Sequence, residues 1–170
     1  EKGFVNTIIS TSEITHATPA AFASHVSSRY EKEVIAEHIY NSKNHIVLGG
    51  GTDYFLPIEG GGIREDGVDF VKKIKNNFHY LETKKDIDNF NYTDRKRIFG
   101  LFADDDLERT EFEPNLLEML DFSIKESKRM LSDGCKGFFI MAEGSKIDWA
   151  SHDNDYEYYL KEMQEFEKTV

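Results

Sequence analysis

Hydrophobic positions along this chain follow two rhythms, a twofold alternation in short runs and a three-to-four spacing in longer ones. Phe4, Val5, Thr7, Ile8 and Ile9 make a β-prone run, and Ser10–Thr15 reads as a loop leaving the strand. Thr18-Pro19 then joins an N-cap residue to the one helical position that suits proline, and Ala20, Ala21, Phe22 and Val26 carry a helix towards Arg29. A second helix is predicted over Lys32–Asn41, with Val34, Ile35, His38 and Ile39 along one face. His45–Leu48 is a buried-strand candidate that runs into Gly49-Gly50-Gly51. Those glycines read as a turn at a strand end, because a phosphate loop needs Lys-Ser/Thr after its last glycine and Thr52-Asp53 stands there instead.

Pro57–Gly67, with Gly60-Gly61-Gly62 inside it, predicts a flexible surface loop, and Val68–Asn77 a helix. Tyr80–Tyr92 is charged and reads as a covering segment. Arg97–Phe102 is the third strand, Asp104–Pro114 an acidic loop, and Asn115–Ser132 a long helix with Leu116, Leu117, Leu120, Ile124 and Leu131 on one face. Gly134 stops it. Gly137–Ala142 is the fourth and clearest strand, and Tyr156–Val170 closes with Tyr159, Met163 and Phe166 at helical spacing. Strands separated by helices imply an α/β fold, with a mostly parallel central sheet flanked by helices.

Composition narrows what such a fold does here. A length of 170 residues suggests one domain, and 39% hydrophobic residues are enough for a packed core. With 21 Lys+Arg against 32 Asp+Glu the net charge is −11, which argues against nucleic acid or an anionic membrane surface as the main partner. No run approaches the ~20 apolar residues of a membrane span. The single Cys135 cannot form an internal disulfide and leaves the redox compartment open. The chain opens at Glu1 without methionine, so any signal peptide is expected to lie upstream of it. Asp104-Asp105-Asp106 reads as solvated acids on a loop rather than a metal site.

Candidate chemistry gathers in Ala142–His152, directly after the clearest strand, where α/β proteins place their sites. Glu143 and Asp148 are hard oxygen donors and His152 a borderline nitrogen donor, a set that suits zinc at its Asp/His end and magnesium at its Glu end. Asp148 and His152 are four residues apart, so a helical turn would project both from one face. Capping acids and a surface histidine are the competing explanation of these residues alone.

Two blocks more than a hundred residues apart, taken together, resemble the alkaline phosphatase family. The first is Thr15-His16-Ala17-Thr18-Pro19-Ala20-Ala21, continuing through His25-Val26-Ser27-Ser28-Arg29; the second is Glu143-Gly144-Ser145-Lys146-Ile147-Asp148 with His152. Between them, Ile46-Val47-Leu48-Gly49-Gly50-Gly51 and Tyr54-Phe55-Leu56-Pro57 are similar to the family's strand and glycine turn. The likeness covers nearly the whole chain and is weakest between Ile63 and Glu113.

The resemblance implies a three-layer fold and a phosphomonoesterase with two zinc ions and one magnesium, a serine nucleophile and an arginine that clamps phosphate. Thr18 and Glu143 match ligands of the magnesium. Asp148 and His152 match two ligands of the zinc that activates the attacking water. Arg29 matches the clamp, where a planar fork fits two phosphoryl oxygens. His16 and Trp149 fall where the family varies, resemble a bacterial subgroup, and are expected to tune the site; His16 could equally hold waters on the magnesium. The family's nucleophile precedes the first block and its remaining zinc ligands follow the second, so no nucleophile is assigned in this chain. It is read as an internal fragment of a single catalytic domain, inactive alone. Phosphate monoesters and inorganic phosphate are the implied partners, a homodimer is compatible with the family, and the location implied is periplasmic or extracellular. A non-catalytic module for divalent metal or phosphate, or an α/β interaction domain, is the alternative. Thr18, Arg29, Glu143, Asp148 and His152 are expected to converge at one edge of the sheet, Arg29 reaching it from the helix after Thr18-Pro19.

Overall fold

A computed structural model of the protein describes residues 3–91, 94, 96–132 and 134–170; Tyr92, the end of the predicted covering segment, lies outside them. In chain order the elements are β1 Phe4–Glu13, α1 Ala17–Ala21, α2 Lys32–Asn41, β2 Ile46–Gly50, α3 Phe70–Asn77, β3 His79–Leu81, α4 Lys84–Asp88, β4 Ile98–Leu101, α5 Leu116–Ser132, β5 Gly137–Glu143, α6 Lys146–His152 and α7 Tyr156–Thr169. The five strands form one parallel sheet in the order β3-β4-β2-β1-β5.

Twofold alternation divides the strand side chains between two cores. Val5, Ile9, Ile46, Leu48 and Ile98 pack with Leu116, Met119, Phe122 and Met130 of α5 on one face. On the other, Ile8, Val47 and Phe99 pack with Ile35, Ala36 and Ile39 of α2 and with Phe70, Val71 and Ile74 of α3. The result is a helix–sheet–helix sandwich. Steps from β1 outward to β2 and β3 carry α1, α2 and α3 on one face, whereas the return through β4 to β5 carries α4 and α5 on the other, as right-handed crossovers require. The segment after β1 therefore leaves for the α2 face, and the segment after its neighbour β5 leaves for the α5 face, where Phe166 of α7 packs. Their divergence leaves a crevice at the carboxyl ends of β1 and β5, a topological switch point of an open α/β sheet.

Several elements depart from their sequence expectations for identifiable reasons. β1 extends through Ser10–Glu13 instead of ending at Ile9, because β5 continues beside it as far as the Ser10↔Glu143 pair and β2 pairs with it again at Glu13↔Gly50, past an irregularity after Ile9. The helix after Thr18-Pro19 stops at Ala21, and His16 rather than Thr18 is its N-cap residue. Gly137–Met141 is an edge strand with one partner, which leaves Phe138 and Phe139 39% and 50% exposed. The Tyr80–Tyr92 segment supplies edge strand β3, and α4 is held by a Thr83/Asp86 capping box, with Leu81 and Ile87 in the core.

Along α5 the buried arc runs Leu116, Met119, Phe122, Glu126 and Met130, with Leu117, Leu120, Ile124 and Leu131 only half-buried. Glu126 is admitted because its Oε2 accepts from Arg129 Nε at 2.9 Å. On α7 the inward face centres on Glu162, not Met163, since Glu162 pairs with Arg109, itself held at φ +62°. By contrast, α2 spans Lys32–Asn41 as the periodicity predicts.

Candidate active site

Two segments leave the switch point, residues 14–31 after β1 and residues 144–155 after β5. His16, Ala17, Thr18 and Arg29 from the first and Glu143, Ser145, Asp148 and Trp149 from the second line one cavity of about 370 Å³. Four of the five residues expected to converge therefore share a cavity. The fifth, His152, lies outside the lining but one helical turn from Asp148, with its Nε2 3.6 Å from Asp148 Oδ1. Both of these side chains are largely exposed, at 78% and 72%.

Arg29 reaches the cavity by a different route from the one expected. The chain leaves α1 at Phe22 and returns in turns that bring Arg29 back over His16, where its Nη2 donates to His16 Nε2 at 3.0 Å. With Nε2 accepting, the ring proton sits on Nδ1, a buried atom with no hydrogen-bond partner among the described residues. The His16 ring meets Trp149 edge-on, centroids 5.7 Å apart, and so the two blocks touch directly.

Beneath the cavity is a polar cluster that sequence reasoning missed. Ser10, Ser12 and Ser145, all buried, have hydroxyl oxygens 2.8, 2.8 and 3.0 Å from one another, and Ser10 Oγ also donates to Glu143 Oε2 at 3.0 Å. Small hydroxyls at i and i+2 near a strand end were the available signal, because that spacing puts both on one face. Glu13 is buried beside them, paired with Lys32 and accepting from Thr15 Oγ1 at 3.1 Å. Asp106 does not behave as a solvated acid. Its Oδ1 accepts from Glu13 N at 2.7 Å, and burial, with the Asp105 charge adding, pushes its carboxyl up to about 6.

Glycine shapes the third loop at this end. Gly51 takes a left-handed φ of 92°, and a Cβ on Gly50 would stand 1.9 Å from the Asp105 carbonyl oxygen, so the 104–106 turn can lie against β2 only over glycine. This confirms a turn rather than a phosphate cradle. Ser24 is bonded to His38 Nδ1 at 2.9 Å and does not line the cavity.

For a divalent ion the donors are of the right kind but few. Thr18 and Glu143 offer a hydroxyl and a carboxylate to the same cavity, as magnesium prefers, and a magnesium site needs only one or two carboxylates besides water. Asp148 and His152 offer the oxygen and nitrogen that zinc accepts. Among the described residues no group of three or more His, Cys, Asp or Glu side chains is placed to hold a metal. The residues present thus fit parts of two sites.

Comparison with known proteins agrees with this arrangement. The chain is 37% identical over 179 residues to alkaline phosphatase 3 of Bacillus subtilis, an alignment covering 99% of this chain and 36% of that protein. Among solved structures it is similar to the alkaline phosphatase of the Antarctic bacterium TAB5, with a TM-score of 0.78, 30% identity, and coverage of 99% of this chain and 47% of that one. A mutant of that enzyme solved with Mg bound matches with a TM-score of 0.77 and 29% identity, over 99% of this chain and 46% of the other. The chain spans about a third of the length of the curated relatives it matches. With these likenesses, and a match to the alkaline phosphatase family profile across residues 1–170, the chain belongs to the alkaline phosphatase family.

Proposed function

We propose that this chain supplies part of the catalytic centre of a metal-dependent phosphate monoester hydrolase. The observation that carries the reading is the convergence of Thr18, Arg29, Glu143 and Asp148, from segments more than a hundred residues apart, on one cavity at the switch point. Thr18 and Glu143 are assigned to a magnesium ion, and Asp148 with His152 to a zinc ion. When bound, such ions supply charge stabilisation to phosphoryl oxygens and assist the deprotonation of water. Arg29 binds the phosphoryl group. Its guanidinium spends one Nη2 contact on His16, which aims the fork and leaves further N–H donors for two phosphate oxygens.

His16 and Trp149 orient that clamp rather than react, since the imidazole is occupied by Arg29 and packs against the indole. The covalent step is assigned to a serine outside residues 1–170. Ser10 and Ser12 are buried in mutual hydrogen bonds, and Ser24 bonds His38 away from the cavity. The second zinc is assigned to ligands outside the chain as well. Export to the periplasm or medium fits the family, as does a homodimer. No helix among the described residues is long and apolar enough to cross a membrane.

The test is turnover of a chromogenic phosphate monoester by the complete protein, supplied with zinc and magnesium. Activity is expected there, and Asp148→Ala is expected to lower kcat/KM by about 100-fold or more, given that lost electrostatic stabilisation of a transition state costs roughly 10²–10³. Phosphate binding without turnover by the complete protein would favour the non-catalytic module instead.

A further inference from the structure

The hydroxyl cluster beneath the cavity lies outside every role assigned so far. Ser10 sits opposite Glu143 in the β1–β5 register, Ser12 is two residues further along the same strand face, and Ser145 is the first residue of the turn into α6. Ser145 is placed where a hydroxyl normally caps a helix, yet it makes no capping bond. Instead its N–H donates to Thr11 Oγ1 at 3.0 Å and its hydroxyl turns inward to Ser10 and Ser12. A helix start has given up its cap to complete a buried contact.

Proton counting gives that contact a direction. Three hydroxyl protons are available, and the carboxylate of Glu143 is the strongest acceptor in reach. Ser10 gives its proton to Glu143 Oε2 at 3.0 Å and accepts from Ser12 or Ser145, each 2.8 Å away, while Ser12 has a second acceptor in the Glu13 carbonyl at 3.3 Å. Each donor in such a chain strengthens the next. Ser10 and Ser12 are fully buried and Ser145 is 4% exposed, so water does not compete for these bonds. A carboxylate has about four lone-pair positions, and a bond to Oε2 restricts its orientation while leaving the others for a ligand.

We propose that Ser10, backed by Ser12 and Ser145, is a positioning residue that holds the Glu143 carboxylate in the orientation needed to bind a divalent cation. The proposal rests on the metal-assisted reading above, and it adds a mechanical link: the strand before the first block sets the aim of the ligand in the second. Truncating an outer partner of a metal ligand lowers affinity typically 10- to 100-fold.

Calorimetric titration of the metal-stripped complete protein with magnesium is the experiment, accompanied by the melting temperature of each protein before magnesium is added. Ser10→Ala is expected to raise the magnesium Kd about 10-fold or more, and Ser145→Ala to raise it less. Ser151→Ala, which removes only an exposed bond to the Ile147 carbonyl, should leave it unchanged. A purely structural role would lower the melting temperature and leave the Kd within twofold, and that result overturns the proposal. Should Ser10→Ala fail to fold, Ser145→Ala decides on the same criterion. Absence of magnesium binding in the unaltered protein, or binding that survives Glu143→Gln, overturns the metal reading and this proposal with it. A Glu143-dependent affinity that is indifferent to Ser10 overturns this proposal alone.

Discussion

Arg64 and Arg29 both stand in loops at the carboxyl end of the sheet, yet their surroundings are opposite. Arg64 is 2% exposed. Its Nη1 donates to the carbonyls of Glu33 and Tyr54 at 2.8 and 3.1 Å, its Nε donates to Asp66 at 3.1 Å, and its Nη2 pairs with the same carboxylate. The guanidinium also lies 4.7 Å from the centre of the Phe70 ring. Arg29 is exposed and contacts His16 through a single nitrogen. An arginine whose donors are spent on its own fold is a structural pin, whereas one with spare donors facing a cavity is available to an oxyanion. Residue type alone does not distinguish them.

The largest effect expected from this contrast is on Arg64. Arg64→Ala would take a donor from the Glu33 and Tyr54 carbonyls, leave Asp66 only its bond from Val68 N and empty the space over Phe70. A loss of about 3 kcal/mol in unfolding free energy follows from leaving buried acceptors unsatisfied. Chemical denaturation measures it directly. A change below about 1 kcal/mol would mean that the carbonyls find water and that the pin is dispensable.

How far this contrast could be read in the sequence depends on the range of the interactions. The four predicted strands, α2 and the placing of Thr18 and Glu143 in one cavity follow from local periodicity and from two motif blocks, and the structure contains them, but it adds β3 and carries β1 on to Glu13. Pro57–Gly67 was read as a flexible surface loop from its glycines, but the partners that pin it, Glu33 and Tyr54, come from other segments. The helix expected to carry Arg29 ends at Ala21 because the return of the chain onto His16 is a tertiary contact that no propensity encodes. The serine cluster escaped for the same reason, since Ser145 meets Ser10 and Ser12 across more than 130 positions. Gly137–Ala142 reads as the clearest strand because its residues are apolar, but sheet order, not composition, decides which strand lies at the edge.

Two carboxylates, Asp66 and Asp106, are shifted in opposite directions, which gives an intermediate test. The hydrogen bond from Arg64 holds Asp66 below the usual range, so its stabilising contribution is present above the unfolded pKa of ~3.9 and is lost as the pH falls through the lower folded value. Asp106, which accepts from the Glu13 backbone N–H, is pushed up to about 6 by burial. Folding therefore disfavours its ionised form. The penalty is absent below ~3.9, grows as the pH rises, and is complete above the folded value. Relative to Asp106→Asn, the unaltered protein should lose stability between about pH 4 and 6.5 and run parallel to the variant beyond that. Denaturant midpoints at a series of pH values report it. Parallel curves across the whole range would show that Asp106 keeps an ordinary pKa.

On stability the smallest effect belongs to Arg29, and its smallness is the point. An exposed side chain with one side-chain hydrogen bond contributes little to folding, so Arg29→Ala should move the unfolding free energy by no more than about 0.5 kcal/mol. Phosphate affinity is expected to behave otherwise. Hydrogen bonds to a charged group are worth roughly 1.5–3 kcal/mol, so, on the proposed phosphatase reading, inorganic phosphate should inhibit the Arg29→Ala form of the complete protein at least about tenfold more weakly. Arg29→Lys keeps the charge but loses the planar fork, and should fall between the two. Competitive inhibition constants for the three proteins, set beside their melting curves, test both halves together. If Arg29→Ala destabilised the fold as Arg64→Ala does while phosphate inhibition stayed unchanged, the two arginines would be pins of the same kind and the clamp would have to be sought elsewhere.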